Sequence, residues 1–320
     1  MTRGIPRVSF RDVGDLDNAI KRALSDFPTD VDLVVGIPRS GLLAANLLAL
    51  HRGIPLTDLD GLLEGRVLGA GARLDHAADA DIIASARRIL VFDDSVFSGS
   101  ALARARERID ASPFSDRVLY GAVFVIPSAA HLVDVACELV PPPRVFSWNL
   151  MSHSVLERAC IDMDGVLCVD PTAEQNDDGP RYREFLRTAT PHMLPGREVQ
   201  AIVTSRLEKY RPETEAWLAE HGVAYRALHM LDLPDAETRR AQNPHATFKA
   251  EIYKQCDAIL FAESHPGQAR EIARLARKPV VCTDDGSFHQ GLVGPARSLR
   301  SRLGRLRRGL RKLSPRRLRP

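Results

Sequence analysis

Twice in this chain an uninterrupted apolar run stops at closely spaced aspartates. Ile89–Phe92 runs into Asp93 and Asp94, and Ala159–Ile161 runs into Asp162 and Asp164. Apolar runs this short, each followed by a turn and a helix-like segment, read as buried strands. Around the first run, strand-like segments (32–37, 89–92, 118–126) alternate with helix-like ones (16–26, 40–51, 100–109). Around the second, strands are expected at 159–163, 199–204, 258–262 and 279–283, with helices at 212–221 and 267–276. This rhythm implies α/β architecture: two consecutive doubly wound parallel sheets covered by helices. In such sheets ligands sit at the carboxyl ends of strands, where both aspartate pairs fall.

Pro141, Pro142 and Pro143 precede a last short strand expected near 145–148. The boundary between the halves is expected around 149–158. That gives domains 1–150 and 151–290, followed by a basic tail, 291–320. The chain's 320 residues suffice for two ordinary domains.

Charge is unevenly spread. The formal net charge is +3, yet the segment 297–320 carries ten Arg and one Lys without an acid. The remainder is therefore acidic, at about −8. An acidic body without a basic stripe interleaved with aromatics argues against nucleic acid as the main partner. No apolar stretch approaches the roughly 20 residues of a membrane-spanning helix. The first fifteen residues lack the apolar core of a secretory leader. The five cysteines form no CxxC pair and read as buried, reduced thiols, so a cytoplasmic protein is expected.

After Asp93 and Asp94 comes a turn expected to hold Ser95, Ser98, Gly99 and Ser100 at the start of a helix. Hydroxyls and free N–H groups at a helix start suit a phosphate dianion. Paired acids suit ribose hydroxyls and, through water, Mg²⁺. ILVFDDSVFSGS thus resembles the PRPP-binding motif of type I phosphoribosyltransferases, with Phe97 and Ser95 departing from its usual residues. VVGIPRSG, with Pro38, Arg39, Ser40 and Gly41, resembles the pyrophosphate loop of that family. The family's mobile catalytic loop would fall at 65–73, making Arg66, Arg73 and His76 candidates for closing on pyrophosphate. The resemblance implies a phosphoribosyltransferase fold over 1–150, PRPP as donor, and transfer through an oxocarbenium-like state.

The second run places Asp162 at a strand end and Asp164 two residues on, leaving the sheet in the same direction. One carboxylate can attack phosphorus while the other protonates the leaving oxygen. ACIDMDGVL resembles the DxDG(V/T)L signature of the haloacid dehalogenase superfamily. The resemblance implies a Rossmannoid phosphatase fold and further roles in chain order. Thr204, with Ser205 beside it, would bind the phosphoryl group. Lys249, or alternatively Lys254, would stabilise the phospho-enzyme. Asp162, Asp164 and Glu263 would hold Mg²⁺, with Asp284 and Asp285 a second way of completing the metal site. About 31 residues separate Leu167 from Val199, too few for a large helical cap domain. Such a minimal cap suits a bulky phosphate ester, although an oligomer could cover the site instead.

In the tail, leucines at 299, 303, 306, 310 and 313 alternate with Arg and Lys. This resembles a basic interfacial helix on an anionic membrane, peripheral to the inner face; a disordered tail and a protein-docking helix are the other readings. Together the motifs resemble the ribosyl-transfer modules of bacterial capsule and cell-surface polysaccharide synthesis, and that resemblance implies a bifunctional enzyme. It would transfer 5-phosphoribosyl from PRPP to a glycan or lipid-linked acceptor and then remove the 5-phosphate. The alternatives are an orotate-like phosphoribosyltransferase fused to a nucleotide phosphatase, and a PRPP-sensing regulator without turnover.

Overall fold

The computed structural model of the protein describes residues 7–68, 79–242 and 244–291. The chain is a mixed α/β protein built on two parallel sheets. Its first half runs β1 (Ser9–Arg11), α1 (Val13–Ala23), β2 (Val31–Gly36), α2 (Ser40–Arg52), β3 (Leu56–Asp58), α3 (Leu59–Glu64) and α4 (Asp79–Ser85). It continues with β4 (Arg88–Val96), α5 (Ser100–Asp110), β5 (Val118–Val125), β6 (Val135–Leu139) and β7 (Arg144–Phe146). A five-stranded parallel sheet has the order β3-β2-β4-β5-β6. Successive strand residues point to opposite faces, and both faces are buried. Leu33, Val35, Ile89 and Val91 pack into one apolar cluster. Val34, Leu90 and Phe92 pack into another with Leu16, Ile20, Ala44 and Leu48.

Three local expectations need correction. The first helix starts at Val13, because Asp12 accepts from Asp15 N and Asp15 bonds back in a capping box. The strand expected near 145–148 is shorter, Arg144–Phe146, and pairs with β1 in a separate two-stranded ribbon. And β4 does not end at the aspartates. Ser95 and Val96 still pair with Phe124 and Val125, so the strand runs through both acids.

The second half holds β8 (Ala159–Ile161), α6 (Pro180–Thr188), β9 (Ala201–Leu207), α7 (Arg211–Glu220), β10 (Leu228–Leu231) and α8 (Ala236–Gln242). Then come α9 (His245–Gln255), β11 (Leu260–Glu263), α10 (Pro266–Ala276), β12 (Val280–Cys282) and β13 (Phe288–His289). The order is β10-β9-β8-β11-β12-β13, parallel except for the antiparallel β13. The segment 206–248 holds more than the helix expected at 212–221, since β10 also falls there. It also forms α8, whose residue Arg239 reaches the cleft described below.

The halves share a core. Val8, Phe10 and Val145 bury in one cluster with Leu156, Ile161 and Leu260. Phe10 stacks on Phe288 with ring centroids 4.8 Å apart, and Gln290 Nε2 donates to Val8 O at 2.6 Å. The stretch 147–158, where the boundary is expected, forms two 3₁₀ segments. Among the described residues no helix is long and apolar enough to cross a membrane. The basic tail, Arg73 and His76 lie outside the described residues.

Candidate active sites

From β2 the chain proceeds to β3 on one side of the first sheet and then returns to β4 on the other. The crevice at this reversal is where doubly wound sheets place ligands. Asp93 and Asp94 lie there, both buried. Ser40, the first residue of α2, donates to Asp94 Oδ1 at 2.8 Å, and Trp148 Nε1 donates to Asp94 Oδ2 at 2.9 Å. Gly41 makes this approach feasible. A Cβ there would stand 2.8 Å from Asp93 Oδ1 and 3.0 Å from Phe92 O. Pro38 and Arg39 are exposed at the rim. Gly99 caps α5 without a side-chain bond, and Ser98 Oγ lies 3.1 Å from Ser100 Oγ. The loop 37–41 and the acids are thus in contact, and the α5 start follows them on the same chain segment. Ser95 is set apart: it lies within β4 and, with Phe97, lines a different cavity. Arg66 is exposed and pairs with Glu64 at 3.4 Å.

Burial, followed by the adjacent charge of Asp94, pushes the Asp93 carboxyl up to about 8. This has a consequence for stability. The unfolded chain releases that proton near the ordinary carboxylate value, about 3.9. Between these limits the folded state binds the extra proton, so its contribution is complete at low pH and is lost as pH rises through about 8. Asp93→Asn removes the titration. Its melting temperature should therefore vary less than the parent's between about pH 5 and 9. Parallel profiles in scanning calorimetry would contradict this.

The second sheet reverses at β8. The chain steps to β9 and β10 on one side, then to β11 and β12 on the other. A cleft of about 190 Å³ opens at this point, lined by Asp162, Asp164, Thr204, Ser205, Lys249 and Glu263 among others. Residues far apart in sequence thus converge on one site. Lys249, buried on α9, donates from Nζ to Asp162 Oδ2 at 2.6 Å and to Glu263 Oε2 at 2.7 Å. Asp162 Oδ1 accepts from Met163 N at 2.8 Å, and Glu263 Oε1 accepts from His265 N at 3.1 Å. Gly165 turns the chain away with φ +76°, where a Cβ would meet Ser264 Oγ at 2.3 Å. Lys254 is exposed and off the cleft, as are Asp284 and Asp285.

Asp164 departs from its expected place in a metal site. Arg206, fully buried, holds its carboxylate from Nη2 at 2.6 Å and from Nε at 3.1 and 3.2 Å. Both oxygens are thereby committed to a guanidinium. Among the described residues no three His, Cys, Asp or Glu side chains group to hold a metal unaided. Asp162 and Glu263 nevertheless form a hard-oxygen pair around one ammonium. Burial raises the Asp162 carboxyl; Lys249 opposes that rise, and the Glu263 charge adds to it. Burial alone would lower Lys249, but the two carboxylates raise it. A buried acid pair sharing one cation suits Mg²⁺, which needs one or two carboxylates plus water and phosphate oxygens.

Four participants were not singled out from the sequence. Arg206 stands two residues after Thr204 on β9, hence on the same side of the strand, and that spacing was the available signal. Arg239 is buried, donates to Ser205 O at 3.0 Å, and leaves Nε without a partner among the described residues. Trp148, which anchors Asp94, is one of two tryptophans, and a buried indole N–H generally requires an acceptor. Arg144 is buried beside the first pair of acids. The cysteines are free, but Cys137 and Cys256 are only partly buried.

No protein-family model matches the chain, and no curated protein is similar to it in sequence. Solved structures show partial likeness. A Helicobacter pylori xanthine-guanine-hypoxanthine phosphoribosyltransferase is 16% identical over 45% of this chain and 92% of its own, with TM-score 0.32. A Pyrococcus horikoshii purine phosphoribosyltransferase is 18% identical over 44% and 93%, also at 0.32. A Bacillus anthracis hypoxanthine-guanine phosphoribosyltransferase is 12% identical over 41% and 79%, at 0.26. At such scores the likeness decides nothing about this chain, whose own geometry carries the interpretation.

Proposed function

We propose that the chain transfers a 5-phosphoribosyl group from PRPP to an acceptor at the first crevice and removes the 5-phosphate at the second. The observation that carries the second activity is the convergence of Asp162, Asp164, Thr204, Lys249 and Glu263 on one cleft at a strand reversal. The first activity is supported by the buried acids held against the start of α2 at the equivalent reversal. Asp93 and Asp94 would face the ribose hydroxyls, the α5 start would take the 5-phosphate, and Arg39 would meet the pyrophosphate. In the second cleft Asp162 would attack phosphorus, oriented by Lys249 and Met163 N–H, as the bond to the leaving oxygen breaks, while Thr204 holds a phosphoryl oxygen. Asp164 would serve the leaving oxygen only on release from Arg206, and water would then hydrolyse the aspartyl phosphate to free phosphate and Asp162. Mg²⁺, held by Asp162 and Glu263 in that cleft and brought with PRPP in the other, would offset phosphate charge. Removing the phosphate would make the transfer effectively irreversible. The acceptor is proposed to be a glycan or lipid-linked glycan.

Incubation with PRPP, Mg²⁺ and an acceptor panel tests the pair. Asp93→Asn combined with Asp94→Asn should stop pyrophosphate release and leave hydrolysis of a small phosphate ester intact, since direct effects of distant sites are largely independent. Unchanged PRPP turnover in that double variant would remove the first crevice from the mechanism.

A further inference from the structure

A cavity of about 430 Å³ opens beside the first crevice, where the two halves meet. Ser95 and Phe97, on the stretch that leaves Asp94, form one wall, and His153 and Arg158 form the other. Among the described residues neither Asp nor Glu lines it. Arg144 is 7% exposed and is held in place by Phe124 O at 2.9 Å. Its guanidinium lies 5.6 Å from the Phe97 ring centroid and 5.2 Å from that of Phe146. It makes no ion pair among the described residues, and the same holds for the exposed Arg158. Asn149 Oδ1, also at this cavity, is buried without a partner among the described residues. Phe97 presents a ring that is 60% exposed.

A guanidinium fixed in orientation and a second Arg at the rim, on a lining without Asp or Glu among the described residues, suit an anion; Asp93 and Asp94 lie beside Arg144 but are not part of the cavity wall. The open Phe97 ring suits an apolar ring face beside that anion. Val155 N donates to His153 Nδ1 at 3.0 Å, which leaves the other ring nitrogen of a neutral imidazole as a donor. Asn149 Oδ1 needs a hydroxyl or N–H donor in return. We propose that this cavity is the acceptor site of the first centre, and that it takes a ring-bearing acceptor with hydroxyls and an anionic substituent, carboxylate or phosphate. This deepens the phosphoribosyl-transfer reading and rests on it.

The test uses the full chain carrying Asp162→Asn, which spares phosphorylated probes from hydrolysis. Three probes are titrated by calorimetry and saturation-transfer NMR: 4-nitrophenyl β-glucoside, the corresponding glucuronide and the glucoside 6-phosphate. At least one anionic probe should bind about tenfold or more tighter than the neutral one. A tighter glucuronide identifies a carboxylate acceptor, and a tighter 6-phosphate a phosphorylated one. Arg158→Gln, which alters an exposed side chain, should reduce the preference to about threefold or less with an unchanged melting temperature. Equal binding of all three probes would overturn the proposal, as would a preference indifferent to Arg158→Gln. PRPP is titrated into the same protein. PRPP binding without anion preference refutes the acceptor proposal alone. Anion preference without PRPP binding removes the transfer reading and, with it, the acceptor role.

Discussion

Asp162→Asn is expected to slow phosphate release from ribose 5-phosphate esters by at least about a thousandfold, while PRPP consumption continues. The amide matches the carboxylate in shape but is a poor nucleophile. It also matches the site's bonding less well. One carboxylate oxygen now faces Lys249 and the other accepts from Met163 N. An amide has a single acceptor, so one of these donors would face an NH₂ group. Some loss of stability should therefore accompany the loss of activity, and melting temperature must be followed beside phosphate release. Release at the parent rate would show that another group attacks phosphorus.

Lys249→Met should be the most damaging single change to the fold. The ammonium is buried between two buried carboxylates. Removing it leaves Asp162 and Glu263 as uncompensated like charges, at a cost of about 3–5 kcal/mol. The pH dependence has a definite sign. Without the cation, burial and the neighbouring acid leave the Asp162 carboxyl holding its proton more tightly in the folded state than in the unfolded one. The variant should therefore lose stability as pH rises, more steeply than the parent. Adding Glu263→Gln removes one of the two charges and should recover part of the loss. Urea unfolding at several pH values measures both effects. A flat profile, or no recovery in the double variant, would show that the three groups are not coupled as described.

The sequence made some of this legible because its signals are local. An apolar run that stops at acids marks a candidate strand end, and Asp162 is readable from that alone, whereas Glu263 also draws on family resemblance. Thr204 and Lys249 required family resemblance as well, and the fold places all four on one cleft. What escaped notice depends on partners remote in sequence. Arg206 meets Asp164 across 42 positions and Trp148 meets Asp94 across 54, and no periodicity encodes such pairings. The length of β4 was misjudged for a related reason. Asp93 and Asp94 look like a strand end in isolation, but β5 is long enough to keep pairing beyond them. The short strand near 145 is readable from its apolar residues, but its partner β1, from the opposite end of that half, is not.

The stack of Phe10 on Phe288 joins residues near the start of the described chain to residues near its end. Val8 and Phe10 are covalently part of the first half yet help complete the apolar interior of the second. A cut near residue 150 would therefore not yield two self-sufficient pieces. The later piece would present a bare hydrophobic wall where Val8, Phe10 and Val145 belong. The two clefts are thereby tied to one chain: parting the halves would require a new lining for that wall.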